Sequence, residues 1–404
     1  MFARVLCIDR DEDLGLGLRR VGASSPVVPS GGRALLLTGL GERELPFLRG
    51  ASRPEAWNGK PPVLVEGSQP GAALLLFDRD GLAQVVRSAR GDGLSGLAEA
   101  LERAEQSGRP PAPLVLGERR LEWGARTYVM GVVNVTPDSF SDGGQFADPA
   151  AAIAHGVALA EAGADLIDVG GESTRPGAQE VSESAELGRV LPVIEGLRAR
   201  VPAVPLSVDT MKSHVARRAI AAGASLVNDV GGLRDPEMIA AVADTGAAAC
   251  LMHMQGTPRT MQQSPRYEDV VEQILEALDA GLARATRAGV PRGRLLVDPG
   301  IGFGKTVAHN LFLLRRLRDF RVLGVPVLIG ASRKSFHGQV TGGKSAGQRL
   351  ASSVSAAVIA AMNGADVVRV HDVAETKDAL AVADAVRAAT DGGSLYPESG
   401  RGAG

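Results

Sequence analysis

Along residues 128–389 the chain alternates short apolar runs with longer stretches rich in Ala and Leu. The runs read YVMGVV from Tyr128, DLIDVG from Asp165, PLSV from Pro205, SLVND from Ser225, AACLMH from Ala248, RLLVDPG from Arg294, PVLIGAS from Pro326 and DVVRVHD from Asp366. Runs with almost no polar interruption are the pattern of strands buried on both faces. The stretches between them, such as AAAIAHGVALAEAGA from Ala150 and AGQRLASSVSAAVIAAMNGA from Ala346, have helical character and helical length. Strands alternating with helices predict βαβ units and a parallel sheet. Eight repeats within about 270 residues predict an α/β fold, a (β/α)8 TIM barrel over residues 119–391. A doubly wound open sheet is the alternative, because counting repeats does not prove closure.

The first 106 residues follow a different pattern. Short strand-like runs (ARVLCI, RALLLTGL, PVLVEG, ALLLF) precede one helical stretch from Leu94 to Gln106, which predicts a small α+β domain over residues 1–106. Ser107–Pro113 reads SGRPPAP, where glycine and clustered proline cannot continue a helix, so residues 107–118 are expected to be a linker. The tail, residues 392–404, is polar and glycine-rich and is expected to be disordered.

Composition narrows the function classes. Hydrophobic residues make up 45% and charged residues 22%, ordinary for a globular protein, whereas aromatics are only 3%, so Ala, Val, Leu and Ile must pack the core. A formal charge of −2 predicts no nucleic-acid or membrane partner, and any anion site must be a local cluster of positive groups. Cys7 and Cys250 lack metal or redox spacing, which favours a reduced, cytoplasmic setting. No apolar stretch has the length of a membrane span or a signal peptide.

The chemistry sits where the strands end: at Asn134, at Asp168 before GGESTRPG, at Asp209, at Asn228 with Asp229, at Met252 with His253, at Asp298, at Ser332–Ser335 and at Arg369 with His371. A single Asp after a strand is ordinarily a helix N-cap. Polar groups at every strand end exceed what capping needs, and barrel active sites form at that end. Asp209 and Asp298 could each accept parallel N–H bonds from an aminopyrimidine edge, with Asn228 able to donate or accept. Met252 and Phe303 could line the faces of a ring. Arg175, Arg369 and His371 form a positive group suited to phosphate or pyrophosphate.

These motifs carry a resemblance. NVTPDSFSDGG from Asn134, GGESTRPGA from Gly170, SVDT from Ser207, NDVGG from Asn228, LMHMQGTPRTMQ from Leu251, DPGIGFGKT from Asp298, SRKS from Ser332 and RVHD from Arg369 occur in order, one per predicted strand end. From Leu121 to about Ala389 the chain resembles the dihydropteroate synthase family. The resemblance implies attack by the amine of p-aminobenzoate on the methylene of 6-hydroxymethyl-7,8-dihydropterin pyrophosphate, in folate biosynthesis. It implies a pterin slot of Asp209, Asn228, Met252, Asp298, Phe303 and Lys334. It places pyrophosphate on Asn134, Arg175, Arg369 and His371, with Mg2+ near Asn134. Asn134, Asp142, Arg175, Lys334, Arg369 and His371 would form the catalytic set. Phe140, Thr174, Pro176 and Ser335, with Lys334, would shape the p-aminobenzoate pocket. The family resemblance also implies a homodimer and a sulfonamide target.

Two motifs mislead. Gly338–Ser345, GQVTGGKS, matches the GxxxxGK[ST] string, but a phosphate loop needs a strand running directly into its first glycine, and SRKSFH intervenes. In GIGFGKT, Pro299 stands where the first such glycine would be. The six histidines show no zinc spacing, His253 reads as structural, and Cys250 as an inert core thiol. A pterin-binding methyltransferase of the methyltetrahydrofolate–corrinoid type would need a corrinoid module or partner, and the chain is expected to have no room for such a module. A non-catalytic pterin-binding paralogue is the third alternative.

Overall fold

A computed structural model describes residues 2–6, 33–38, 40–52, 62–66, 71–77, 79–107, 109–136, 148–174 and 180–389. The chain forms two compact units, the first over Met1–Pro110 with Arg321–Gly324, the second over Pro111–Phe320 and Val325–Gly404. In the first, β1 (Phe2–Leu6), β2 (Arg33–Thr38), β3 (Val63–Glu66) and β4 (Ala72–Phe77) form an antiparallel sheet in the order β1-β2-β4-β3. Consecutive residues Leu35–Leu37 and Ala73–Phe77 are all buried, so the two central strands are covered on both faces. Helices α1 (Glu44–Ala51), α2 (Arg79–Gly91) and α3 (Ser95–Gln106) complete it. Only α3 was legible beforehand.

The second unit opens with a hairpin, β5 (Leu114–Leu116) and β6 (Arg119–Leu121). This corrects the expected linker over 107–118, whose last residues are a strand and a turn. Three-residue strands are too short to show a period; the readable signal was Gly117, whose φ of +60° suits the first central position of a two-residue hairpin turn.

The repeats follow in strict alternation. They are β7 (Tyr128–Asn134), α4 (Pro149–Glu161), β8 (Leu166–Gly170), α5 (Glu183–Arg200), β9 (Leu206–Asp209), α6 (Ser213–Ala221), β10 (Leu226–Asp229) and α7 (Pro236–Thr245). After them come β11 (Ala248–Met252), α8 (Val270–Arg287), β12 (Leu295–Asp298), α9 (Val307–Arg315), β13 (Leu328–Ile329), α10 (Ser335–Val340), α11 (Leu350–Met362), β14 (Val367–Val370) and α12 (Val373–Ala388). Asp148, Ser182, Asp235, Asp269 and Thr306 cap the helices they precede, accepting from orphan backbone N–H groups.

The eight parallel strands pair in the order β12-β11-β10-β9-β8-β7-β14-β13, and a parallel bridge between Val297 and Val327 joins the two ends. The sheet is therefore closed, which settles the TIM barrel against the open alternative. Early positions of the strands (Met130, Leu166, Leu226, Ala248, Cys250, Leu296, Leu328, Val367) share one buried cluster with Leu114, Leu116, Leu121 and Trp123. The hairpin thus stops the N-terminal end of the barrel. Trp123 and Tyr128 meet edge to face at 5.3 Å, and Trp123 Nε1 donates to Ala112 O at 2.9 Å. With that end filled, the C-terminal end of the barrel is where polar chemistry can meet a ligand.

Candidate active site at the barrel mouth

The ladder register brings the strand-end residues level with one another. Asn134 pairs with Gly170, and Gly170 with Asp209. Asp209 pairs with Asn228, and Met252 with Asp298. One ionic network lies across this end. Arg369 Nε donates to Asp168 Oδ2 at 2.6 Å, Arg369 Nη2 to Asp209 Oδ2 at 2.9 Å, and Asn228 Nδ2 to Asp168 Oδ2 at 3.0 Å. Burial, with Asp168 adding to it and Arg369 opposing, pushes the Asp209 carboxyl up to about 7. The guanidinium of Arg369, despite its own burial, is held above its ordinary value by Asp168 and Asp209.

A second group stands beside it. Lys334 donates from Nζ to Ile301 O and lies 4.4 Å from the centre of the Phe303 ring, a cation–π contact. Burial pushes Lys334 down to about 8, with Asp298 pulling the other way. Asp298 is itself raised by burial, Lys334 opposing, while its Oδ1 accepts from Gly300 N at 2.7 Å. The two groups share one space, since a side-chain carbon built at Gly330 would stand 3.9 Å from both Lys334 Nζ and Arg369 Cβ. Met252 joins Val230, Met254 and Met261 in an apolar wall against which Phe303 packs. The loop after β12 reaches this position because Gly300 has φ +73° and runs so close to His253 O that a Cβ would lie 2.0 Å from it.

The turn that presents Lys334 is strained and firmly held. Arg333 has φ +55°, rare for a residue with a long side chain. Its N–H donates to Ser353 Oγ at 2.9 Å, its carbonyl accepts from Arg349, and its guanidinium pairs with Asp372. Ser353 is therefore a support for this turn. His371 is oriented by Ser332, whose Oγ lies 3.0 Å from its Nδ1.

The structure thus brings together Asp209, Asn228, Met252, Asp298, Phe303, Lys334, Arg369 and His371. Asn134 ends β7 beside Gly170, its Oδ1 3.7 Å from where a Gly170 Cβ would stand. Thr174 follows β8 at the same end, and Ser335 is the first residue of α10. Phe140, Asp142, Arg175 and Pro176 lie outside the described residues, as does the tail at 392–404. Sequence reasoning placed Asp168 at a strand end but gave it no role. A carboxylate within the apolar run DLIDVG was the available signal, because a buried charge needs partners. It also passed over Lys305, a buried side chain whose Nζ contacts His253 Nδ1 at 3.1 Å and Phe303 O at 2.9 Å. Burial together with Lys305 pushes His253 down to about 3. Cys250 is fully buried, and burial raises its thiol well above the usual range.

A family profile described as "Pterin binding enzyme" matches residues 130–371. The dihydropteroate synthase of Escherichia coli K12 is 48% identical over 265 residues, covering 65% of this chain and 93% of that one. The Yersinia pestis dihydropteroate synthase, solved as a sulfonamide drug complex, superposes with a TM-score of 0.67 at 48% identity, over 69% of this chain and 100% of that one. The Xanthomonas albilineans dihydropteroate synthase, solved with 4-aminobenzoic acid, does so with a TM-score of 0.65 at 51% identity, over 69% and 100%. What the barrel mouth suggested, this likeness over nearly the full length of the relatives confirms: the chain belongs to the pterin-binding enzyme family, among the dihydropteroate synthases.

Proposed function

We propose that the protein condenses p-aminobenzoate with 6-hydroxymethyl-7,8-dihydropterin pyrophosphate, giving 7,8-dihydropteroate and pyrophosphate in folate biosynthesis. The observation that carries this is the convergence of two carboxylates, one amide and two cations, Asp209, Asp298, Asn228, Lys334 and Arg369, on a single barrel mouth. Carboxylates with burial-raised pKa values are eager acceptors for the N–H edges of a pterin, and charge-assisted bonds of that kind contribute about 1.5–3 kcal/mol each. Met252 and Phe303 offer apolar faces to the ring.

The reaction forms a C–N bond and breaks the C–O bond to pyrophosphate. Dihydropterin is electron-rich and supports cationic character at the methylene as the leaving group departs. The arylamine is neutral at pH 7 and is its own nucleophile, so no nucleophilic side chain is required. The protein has to stabilise the leaving anion, hold the electron-poor carbon and exclude water. Arg369 and His371, with Arg175, take the pyrophosphate oxygens. Phe140, Thr174, Pro176 and Ser335 enclose p-aminobenzoate, and Asp142 joins the catalytic set.

The residues present fit Mg2+. Among the described residues no three His, Cys, Asp or Glu side chains converge on a metal position, so an all-protein cage is not on offer. Mg2+ prefers oxygen ligands and is commonly held through substrate phosphates, waters and few protein groups, which the amide oxygen of Asn134 suits. When bound it supplies charge neutralisation to the departing pyrophosphate.

A turnover assay with the two substrates tests the activity: dihydropteroate should accumulate with pyrophosphate in equal amount. Tight pterin binding without product would instead indicate a non-catalytic paralogue. Replacing Phe140 or Pro176 by Ala should weaken p-aminobenzoate and sulfonamide binding about tenfold, the loss of one aromatic or ring contact to the ligand, while pterin affinity stays within about twofold. Equal losses for both ligands would defeat that division of labour. The protein is a cytoplasmic homodimer in this reading, and no helix among the described residues is long and apolar enough to cross a membrane. Leu350 and Ile359 on α11 with Val382 and Val386 on α12 are exposed apolar residues that suit a self-association face. Light scattering should give twice the mass of one chain, and Ile359→Asp should lower it to one.

A further inference from the structure

We propose that Asp168 is a positioning residue: it decides which atom of Asn228 faces the pterin and holds Arg369 in place beside it. The inference rests on the reading of Asn228 as a pterin contact. Asp168 is 0% exposed, whereas the side chains of Asp209 and Arg369 keep 12% and 20% of their exposure, so Asp168 lies beneath the mouth, out of reach of substrate.

Its geometry is specific. A carboxylate only accepts, so the atom of Asn228 that sits 3.0 Å from Asp168 Oδ2 must be the amide nitrogen. That leaves Asn228 Oδ1 for a ligand. The pocket then presents acceptors at Asp209, Asn228 and Asp298 alike, a row that selects a ring edge carrying N–H donors. An Asn with no such anchor can flip, and in the flipped state its NH2 would oppose those donors. The same Oδ2 takes Arg369 Nε at 2.6 Å, which aims the rest of the guanidinium at Asp209. Among the described residues Asp168 Oδ1 has no hydrogen-bond partner, so within them the hydrogen bonds of this side chain serve these two groups.

A charge swap tests the arrangement, read by fluorescence titration with 6-hydroxymethylpterin. Asn228→Asp alone sets two carboxylates against each other and should lose about 30-fold or more in affinity, the cost of an unpaired buried acceptor. Asp168→Asn alone should lose no more than about tenfold, because its amide oxygen can still accept both bonds. The double variant restores one donor facing one carboxylate and keeps the net charge. Its affinity should return to within about fivefold of Asp168→Asn alone, a coupling typical of directly bonded pairs. If the two single losses simply multiply, Asp168 does not orient Asn228 and the proposal is overturned. If Asn228→Asp binds the pterin unchanged, the pterin contact itself fails, a different outcome. Melting temperature reports folding throughout; should Asp168→Asn not fold, Asp168→Ser, smaller and also able to donate, takes its place in the same cycle.

Discussion

Lys334→Ala is expected to abolish pterin binding, lowering affinity for 6-hydroxymethylpterin at least about 100-fold, and to remove turnover with it. The ammonium is one of two cations facing Asp209 and Asp298, and burial has already drawn it down to about 8. Of the charges around Asp298, Lys334 favours its ionised form most strongly. Without Lys334 that carboxylate keeps its bond from Gly300 N and the weaker pull of Lys305 and Arg369, and removing the main counter-charge of a buried carboxylate costs up to about 3–5 kcal/mol. At 1.36 kcal/mol per decade that is a loss of about two to four orders of magnitude in affinity, provided the carboxylate must be charged to accept from the ring. The fold should survive, because the turn is held by Arg333 with Ser353, Arg349 and Asp372 and by no bond from the Lys334 side chain except that to Ile301 O. Titration and melting curves on the same sample separate the two effects. A Lys334→Ala protein with full activity would mean that the slot is misassigned.

The barrel was legible because a strand buried on both faces leaves an unbroken apolar run, and each of the eight runs from Tyr128 to Asp366 became a strand. The candidate site followed from topology alone. Once the strands are parallel and the sheet closes, residues as distant as Asn134 and His371 must share one end. What stayed hidden depends on side-chain reach. Nothing in the spacing of Asp168, Asp209 and Arg369 states that one guanidinium bridges both carboxylates. The support that Ser353 gives was not readable either, because its partner is the backbone N–H of Arg333 in a turn with φ +55°. The hairpin from Leu114 to Leu121 was missed because three residues cannot show a period beside clustered prolines. Helix α2 was missed for another reason: its apolar residues Leu82, Val85, Val86 and Ala89 are interrupted by charges that sit on its outer face.

Asp209→Asn should separate stability from function in opposite directions. The carboxyl of Asp209 is raised from an ordinary 3.8 to about 7, chiefly by burial. Between those values the unfolded chain has released a proton that the native state still holds, so native stability falls as pH rises from about 4 to 7 and the loss is complete above 7. The amide has no proton to lose. The variant should therefore gain nothing below pH 4, gain progressively up to pH 7 and then level off, at about 1–4 kcal/mol with the lost Arg369 bond working against it. Melting temperatures across that range give the curve directly. Binding moves the other way. A pterin edge needs the ionised form, so wild-type affinity should drop by up to about tenfold per pH unit below 7 as the proton competes with the ring. The variant, offering one donor where two acceptors stood, should bind at least about 30-fold more weakly at pH 8 and show no such acid limb. If its binding kept the wild-type pH dependence, the titrating group would be elsewhere in the mouth, with Asp298 the next carboxylate to replace.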